Sequence, residues 1–219
     1  YDLIYQREGD LTTQGIKGYD VKANLRIDPK TVFNLIVDER TNDNLKIQGE
    51  GDLNMLMNPN GDISMSGRYV VRSGHYEMNL FNLVNRRFEL ASGSTVVWRG
   101  DPLDATLDLT AIYNIRTSAA ELMQAQLSGT DNDTKSQFRQ VLPFMVYLKI
   151  DGELMKPEIS FELDLAEQER GAFGGSVYGM IQQINEQEDE LTKQVFSLLV
   201  LNQFFPVMGN DGSGGGSVN

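Results

Sequence analysis

The 219-residue sequence predicts an all-β fold, a curled or folded antiparallel sheet with an amphipathic helix at its C-terminal end. Three observations carry this. Apolar residues occupy alternate positions almost continuously up to residue 165, the period of a strand with one greasy face. Short turn-forming clusters separate the runs, so neighbouring strands run antiparallel. Beyond residue 165 the apolar spacing changes to threes and fours, the period of a helix.

Taken in order, weak alternation at 1–6 and 11–17 precedes the first clear strand. There Tyr19, Val21, Ala23, Leu25 and Ile27 alternate with polar residues until Pro29 ends the run. A weaker strand covers 31–38. Leu45, Ile47, Gly49, Gly51, Leu53, Met55 and Met57 form the next, stopped by the turn cluster at 58–62. Ile63, Met65, Gly67, Tyr69 and Val71 return on its far side, a hairpin with aligned apolar faces. Further strands are expected at 75–81 (Tyr76, Met78, Leu80), 86–90 (Phe88, Leu90), 94–99 and 104–113 (Ala105, Leu107, Leu109, Ala111, Tyr113). Phe144, Val146, Leu148, Ile150 and Leu154 mark 142–154; Ile159, Phe161, Leu163 and Leu165 mark 157–165. Roughly twelve strands at ~4.8 Å would span on the order of 55 Å laid flat, so the sheet is expected to curl over its own apolar side.

Two stretches fall outside this rhythm. Residues 118–129 are expected to form a short helix, followed by a polar loop at 130–137. Val177, Met180, Ile181, Ile184, Leu191, Val195, Leu198 and Leu199 then predict an amphipathic helix with a break near 185–190. The segment 195–206 is intensely apolar but shorter than the roughly 20 residues a bilayer span requires. It is expected to plug the open end of the sheet or to dock on a partner. The organisation expected is one β domain over 1–165, a helical segment of that domain at 166–208, and a flexible Gly-rich tail at 209–219.

A net charge of −12 and a pI near 4.5 exclude nucleic acid and an electrostatic dock on anionic lipid as natural partners. With no cysteine there are no disulfides, thiol catalysis or Cys-ligated metals. The chain starts at Tyr1 and reads as a piece of something longer, with any targeting information outside it.

Chemical motifs are few. The single histidine, His75, is expected at a solvent-facing turn and makes neither a triad nor a zinc site. Asp131, Asn132 and Asp133 open like a calcium loop, but Lys135, Ser136 and Leu142 occupy the positions that need a ligand, Gly and Glu. Gly49 and Gly51 lack the third glycine of a dinucleotide fingerprint and mark close packing or a bend. Asp104 and Asp108 belong to the water face of their strand. Arg99-Gly100-Asp101 spells an adhesion tripeptide, but Pro102 follows directly, so it is expected to be a structural turn. Nothing here suggests an enzyme, and no cofactor is called for.

Gly67, Tyr69, Gly74 and Tyr76, then Phe88, Leu90, Gly93, Ser94, Trp98, Gly100, Asp101, Pro102 and Ala105 form a pattern across the run 67–113. With it the run resembles the C-terminal domain of the TamB family, the translocation and assembly module subunit, in the style of its Bacteroidetes members. Residues 146–165 and 194–206 resemble later elements of the same domain. The resemblance implies an AsmA-like β-taco sheet around an apolar groove, in a periplasmic protein anchored in the inner membrane and reaching the outer membrane. It implies phospholipid transfer between the membranes, support of outer-membrane protein assembly, or both. The partners implied are phospholipid acyl chains and a POTRA-bearing barrel assembly factor, TamA- or BamA-like. The groove would be lined by Val21, Ala23, Leu25, Ile27, Leu53, Met55, Met57, Ile63, Met65, Tyr69, Val71 and Met78 from the first half. Leu107, Leu109, Val146, Leu148, Ile150, Ile159, Phe161 and Leu163 would line it from the second, with Val195, Leu198, Leu199, Phe204 and Phe205 as cap or partner dock. Methionine suits a moving apolar guest, though it fills ordinary cores equally well. The alternative is a structural module that docks on a barrel assembly factor without carrying lipid.

Overall fold

The computed structural model describes residues 18–207 apart from 39, 42, 81–83 and 130. Nine strands are present among the described residues: β1 (Val21–Ile27), β2 (Val32–Asp38), β3 (Asp43–Met57), β4 (Ile63–Leu80), β5 (Val84–Leu90), β6 (Thr95–Gly100), β7 (Thr106–Ser118), β8 (Val141–Glu153) and β9 (Lys156–Leu165). All pairings are antiparallel, and the single sheet curls without closing into a barrel.

The order across the sheet is β1-β3-β4-β5-β7-β8-β9, with β2 also on β3 and β6 also on β4 and β7. β1 and β2 lie end to end along one side of β3, pairing with residues 51–57 and 43–48. β5 and β6 likewise share the space between β4 and β7. Two broken strands therefore narrow the sheet well below the width that about twelve side-by-side strands would give. The expected strands at 1–6 and 11–17 and the tail at 209–219 lie outside the described residues.

The strands expected at 63–71 and 75–81 are one 18-residue strand, β4. A bulge explains the misreading. Gly49 pairs with Val71 but Gln48 pairs with Ser73, so Arg72 is the extra residue. Inward positions are odd up to Val71 and even from Gly74 on, and this change of parity imitates a strand end.

The 118–137 region reverses the expectation. β7 continues to Ser118, and 119–129 is a chain of turns whose hydrogen bonds mix three- and four-residue spacing. Examples are Met123 N–H to the Ala119 carbonyl and Gln124 N–H to the Glu121 carbonyl. Ala119, Leu122, Met123 and Leu127 keep helical spacing and are buried, but the segment forms turns and no regular helix. The regular turn forms instead over the polar stretch, as α1 (Asn132–Gln137).

After β9 two short 3₁₀ turns lead into α2 (Ser176–Asn185) and α3 (Glu188–Leu201), with the break inside the expected window. Glu188, Asp189 and Glu190 in the first turn of α3 complement its dipole, and left-handed Asn202 ends it. Val177, Ile181, Ile184, Leu191, Leu198 and Leu199 pack on Phe88, Ile115, Phe144, Val146, Leu163 and Leu165 of the sheet. Each such side chain contributes roughly 1.5–3 kcal/mol, so this cluster is the stable centre of the molecule.

Candidate functional site: the inner face of the sheet

The register joins the apolar positions into rows that cross the sheet. One row runs Ile27, Gly51, Tyr69, Val96, Leu107, Gly152, Pro157, from β1 to β9 without interruption. On one side of it lie Leu25 opposite Leu53, Ala23 opposite Met55 opposite Met65, and Val21 opposite Met57 opposite Ile63. On the other lie Leu109 opposite Ile150 opposite Ile159, Leu148 opposite Phe161, and Val146 opposite Leu163. Val71 opposes Gly49, and the bulge returns Met78 to the same side. All the lining positions expected from the sequence thus share one face, the face on which the helices pack.

That face has two halves. Toward the C-terminal helices it is covered: Val146, Leu148 and Leu163 are in the helix-packed core, with Met78, Ile150 and Phe161 at its margin. These six therefore sit beneath or beside the helical cover. Leu53, Tyr69, Val71 and Leu107 are buried in the middle of the sheet, outside that cluster. Among the described residues, the face toward β1 is open. Val21, Leu25 and Ile63 are 37%, 47% and 44% exposed, while Ala23, Ile27, Met55, Met57 and Met65 are half-buried. Ile159 on the far edge is also exposed.

A line of irregularities separates the halves. It runs through the β1–β2 break at 28–31, the bulge opposite Gly49, and the β5–β6 break at 91–94. There the Val71 N–H donates to the Ser94 carbonyl and the Gly93 N–H to the Val71 carbonyl. Bulges bend and twist a sheet, so aligned irregularities put its curvature here. Glycines allow the approach. A Cβ on Gly49 would stand 2.2 Å from the Val70 carbonyl oxygen, and one on Gly51 2.6 Å from that of Arg68. The bareness of Gly49 lets the Tyr69 ring lie over β3 and meet Phe33 of β2 edge-on, centroids 5.9 Å apart at 76°. The Tyr69 hydroxyl is buried without a hydrogen-bond partner, and burial pushes its pKa above the ordinary 10.0.

The C-terminal segment covers the other end. Val195, Leu198, Leu199 and Phe204 are buried, with Phe204 edge-on to Phe144 at 4.7 Å. Polar side chains fasten it. Gln194, wholly buried, donates through Nε2 to Glu190 Oε1 (2.7 Å) and the Phe205 carbonyl (2.8 Å), and its Oε1 accepts the Phe205 N–H (2.9 Å). Arg86 Nε donates to the Leu199 carbonyl at 2.6 Å. Asn185 pairs with both the N–H and the carbonyl of Leu163, standing in for a neighbouring strand on the edge of β9. Sequence reading passed over these three. The available signal was a Gln and an Asn lying within the apolar stripe of an amphipathic helix pair. Phe205 stays outside with Phe196 and Leu201, and Lys193 lies 4.7 Å from its ring centroid.

The remaining motifs resolve structurally. Asp101 ends β6 in a turn: its Oδ1 accepts the Leu103 N–H at 2.8 Å, its carbonyl accepts the Asp104 N–H, and Trp98 Nε1 donates to the Pro102 carbonyl. His75 is not at a turn. It lies within β4, its side chain mostly buried, 3.5 Å from Glu77. The parity change at Arg72 made a mid-strand residue look like a flank. Asp104 and Asp108 are exposed, and among the described residues no group of three or more His, Cys, Asp or Glu is arranged to hold a metal. No helix among the described residues is long and apolar enough to cross a membrane.

Residues 3–219 match the family model described as the TamB C-terminal domain. No curated protein matches the chain.

Proposed function

Because the chain belongs to the TamB C-terminal domain family, we propose that it forms part of an apolar conduit that carries phospholipid between the inner and outer membranes of a bacterial envelope. The observation that carries this reading is the open half of the inner face, where Val21, Leu25 and Ile63 stay exposed on a surface continuous with the core. An ordinary sandwich core would be covered there. An acyl chain of roughly fifteen methylenes gains up to about 12 kcal/mol on full burial, so the face needs no charged contact to hold one. The head group stays in water. The setting that goes with this reading is periplasmic, in a protein anchored in the inner membrane and reaching the outer one.

Support of outer-membrane protein assembly, through docking on a POTRA-bearing barrel assembly factor, is the second reading. Phe196, Leu201 and Phe205 favour it, since they remain exposed on α3 and just beyond it. Val195, Leu198, Leu199 and Phe204 lie in the core, so this reading puts the dock on the exposed residues instead.

Leu25→Arg and Asn24→Arg test the conduit, because adjacent strand residues face opposite sides. Both sites are exposed, so both variants fold. An Arg on the inner face is costly to desolvate beside an acyl chain. Leu25→Arg is expected to abolish lipid photocrosslinking and transfer while Asn24→Arg retains both. Equal lipid loading of the two folded variants overturns the conduit reading.

A further inference from the structure

Tyr69 is an inner-face side chain whose hydroxyl the apolar reading leaves unused. It is 4% exposed and its hydroxyl has no partner, although a buried phenol normally finds one. Gly49 leaves its place on the face empty, and the far end of the ring fills it: a Cβ there would stand 2.8 Å from the Tyr69 hydroxyl, which therefore lies over β3. Phe33 of β2 meets the Tyr69 ring edge-on, and β2 is paired only to β3 among the described residues. Val32, Leu35 and Ile36 around Phe33 are exposed. The ring's aromatic neighbour is therefore a side chain on a strand that, among the described residues, is held from one side only.

An unpartnered O–H in an apolar wall calls for an acceptor brought by the guest. A plain hydrocarbon leaves the hydroxyl's desolvation uncompensated. A carboxylate or phosphate supplies an acceptor but carries a charge that this wall does not pair. A neutral carbonyl attached to an acyl chain meets both conditions. We infer that the Tyr69 hydroxyl is the polar anchor of the groove, donating to the ester carbonyl of an acyl glycerolipid that enters by displacing Phe33. This rests on the conduit reading and deepens it: the wall then recognises the ester linkage at the head of the acyl chain, and so sets how deep the chain sits.

The test compares a diacyl phosphatidylethanolamine with its dialkyl-ether analogue of equal chain length, bound to the full chain and to Tyr69→Phe. Native mass spectrometry gives relative affinities. Infrared spectroscopy of ¹³C=O-labelled diester reports hydrogen bonding to the carbonyl. Wild type is expected to prefer diester to diether by about tenfold, the worth of one hydrogen bond, and to shift the carbonyl band downward. Tyr69→Phe is expected to lose both the preference and the shift while binding the diether as wild type does. Because the substitution removes only an unpartnered atom, unchanged thermal melting is the control for fold. Equal wild-type affinity for the two lipids, or a carbonyl shift that persists in Tyr69→Phe, overturns the anchor and leaves the conduit standing. Palmitate bound as tightly as the diester, and weakened equally by Tyr69→Phe, overturns the choice of ester over carboxylate. Failure of wild type to bind either lipid overturns the conduit reading, and the anchor with it.

Discussion

Gln194 holds the segment that follows α3 in place, and the energetic link between it and Phe204 can be measured. Gln194→Met keeps volume and hydrophobicity but removes three hydrogen bonds and leaves the Phe205 N–H and carbonyl without their protein partners. At about 1 kcal/mol per bond, with a further penalty for groups left unsatisfied, the expected cost is roughly 2–4 kcal/mol. Phe204→Ala empties the site against Phe144 and is expected to cost about 3–5 kcal/mol. If Gln194 acts by holding the segment that carries Phe204, the double variant loses little more than the larger single one. The coupling should then exceed about 1 kcal/mol. Urea unfolding followed by far-UV circular dichroism gives the stabilities. The fluorescence of Trp98, the single tryptophan, lies in β6 and reports separately on the sheet. Additivity of the two substitutions within about 0.5 kcal/mol would refute the reasoning, because the segment would then be held by contacts independent of Gln194.

Gly67 has φ +136° and a Cβ there would lie 2.2 Å from the Asp52 carbonyl oxygen, so Gly67→Ala is expected to cost more than about 2 kcal/mol in urea unfolding. Gly100→Ala, where a Cβ meets nothing within 4 Å, should change stability by less than about 1 kcal/mol. Asn185→Leu frees the Leu163 edge groups of β9 and should cost about 1–3 kcal/mol. It should also make the protein self-associate with concentration in size-exclusion chromatography, since an unguarded edge recruits another strand. Burial raises the pKa of Tyr69 above 10.0, and burial with the nearby Asp164 and Glu162 carboxylates does the same for Tyr147. The unfolded chain therefore releases these protons first, and their contribution to stability, complete below pH 10, is lost as pH rises through the folded values. Alkaline denaturation monitored by phenolate absorbance should show this loss, and Tyr69→Phe should reduce it.

The inner face was legible because its signal is local. Alternation reports the side of a strand without regard to what the strand pairs with, so Leu25, Leu53, Met65, Leu107 and Ile150 could be put on one face before any pairing was known. Register then links them into rows, and nothing in the pairing moves one of them across the sheet. The family was legible for a related reason. Trp98, Gly100, Asp101 and Pro102 form a turn held by their own hydrogen bonds, which the local sequence specifies.

The failures share a cause as well. Continuity of β4 through Arg72 depends on β3 supplying one residue where β4 supplies two, which is a property of the pair and absent from either strand alone. The same bulge moved His75 from an expected turn into mid-strand. Whether 119–127 would be helix or turns was set by packing, since its spacing satisfied both.

From the sequence alone came the alternation, the change of period after residue 165, the acidic charge and the turn at Asp101, all consequences of neighbours along the chain. Only the tertiary structure decided that the apolar face is half covered and half open. It alone laid Gly49 of β3 beneath Tyr69 and set Gln194 and Asn185 to guard the cap and the edge. These depend on which side chains meet across strands far apart in sequence, and periodicity carries the direction of a side chain but not the identity of what it meets.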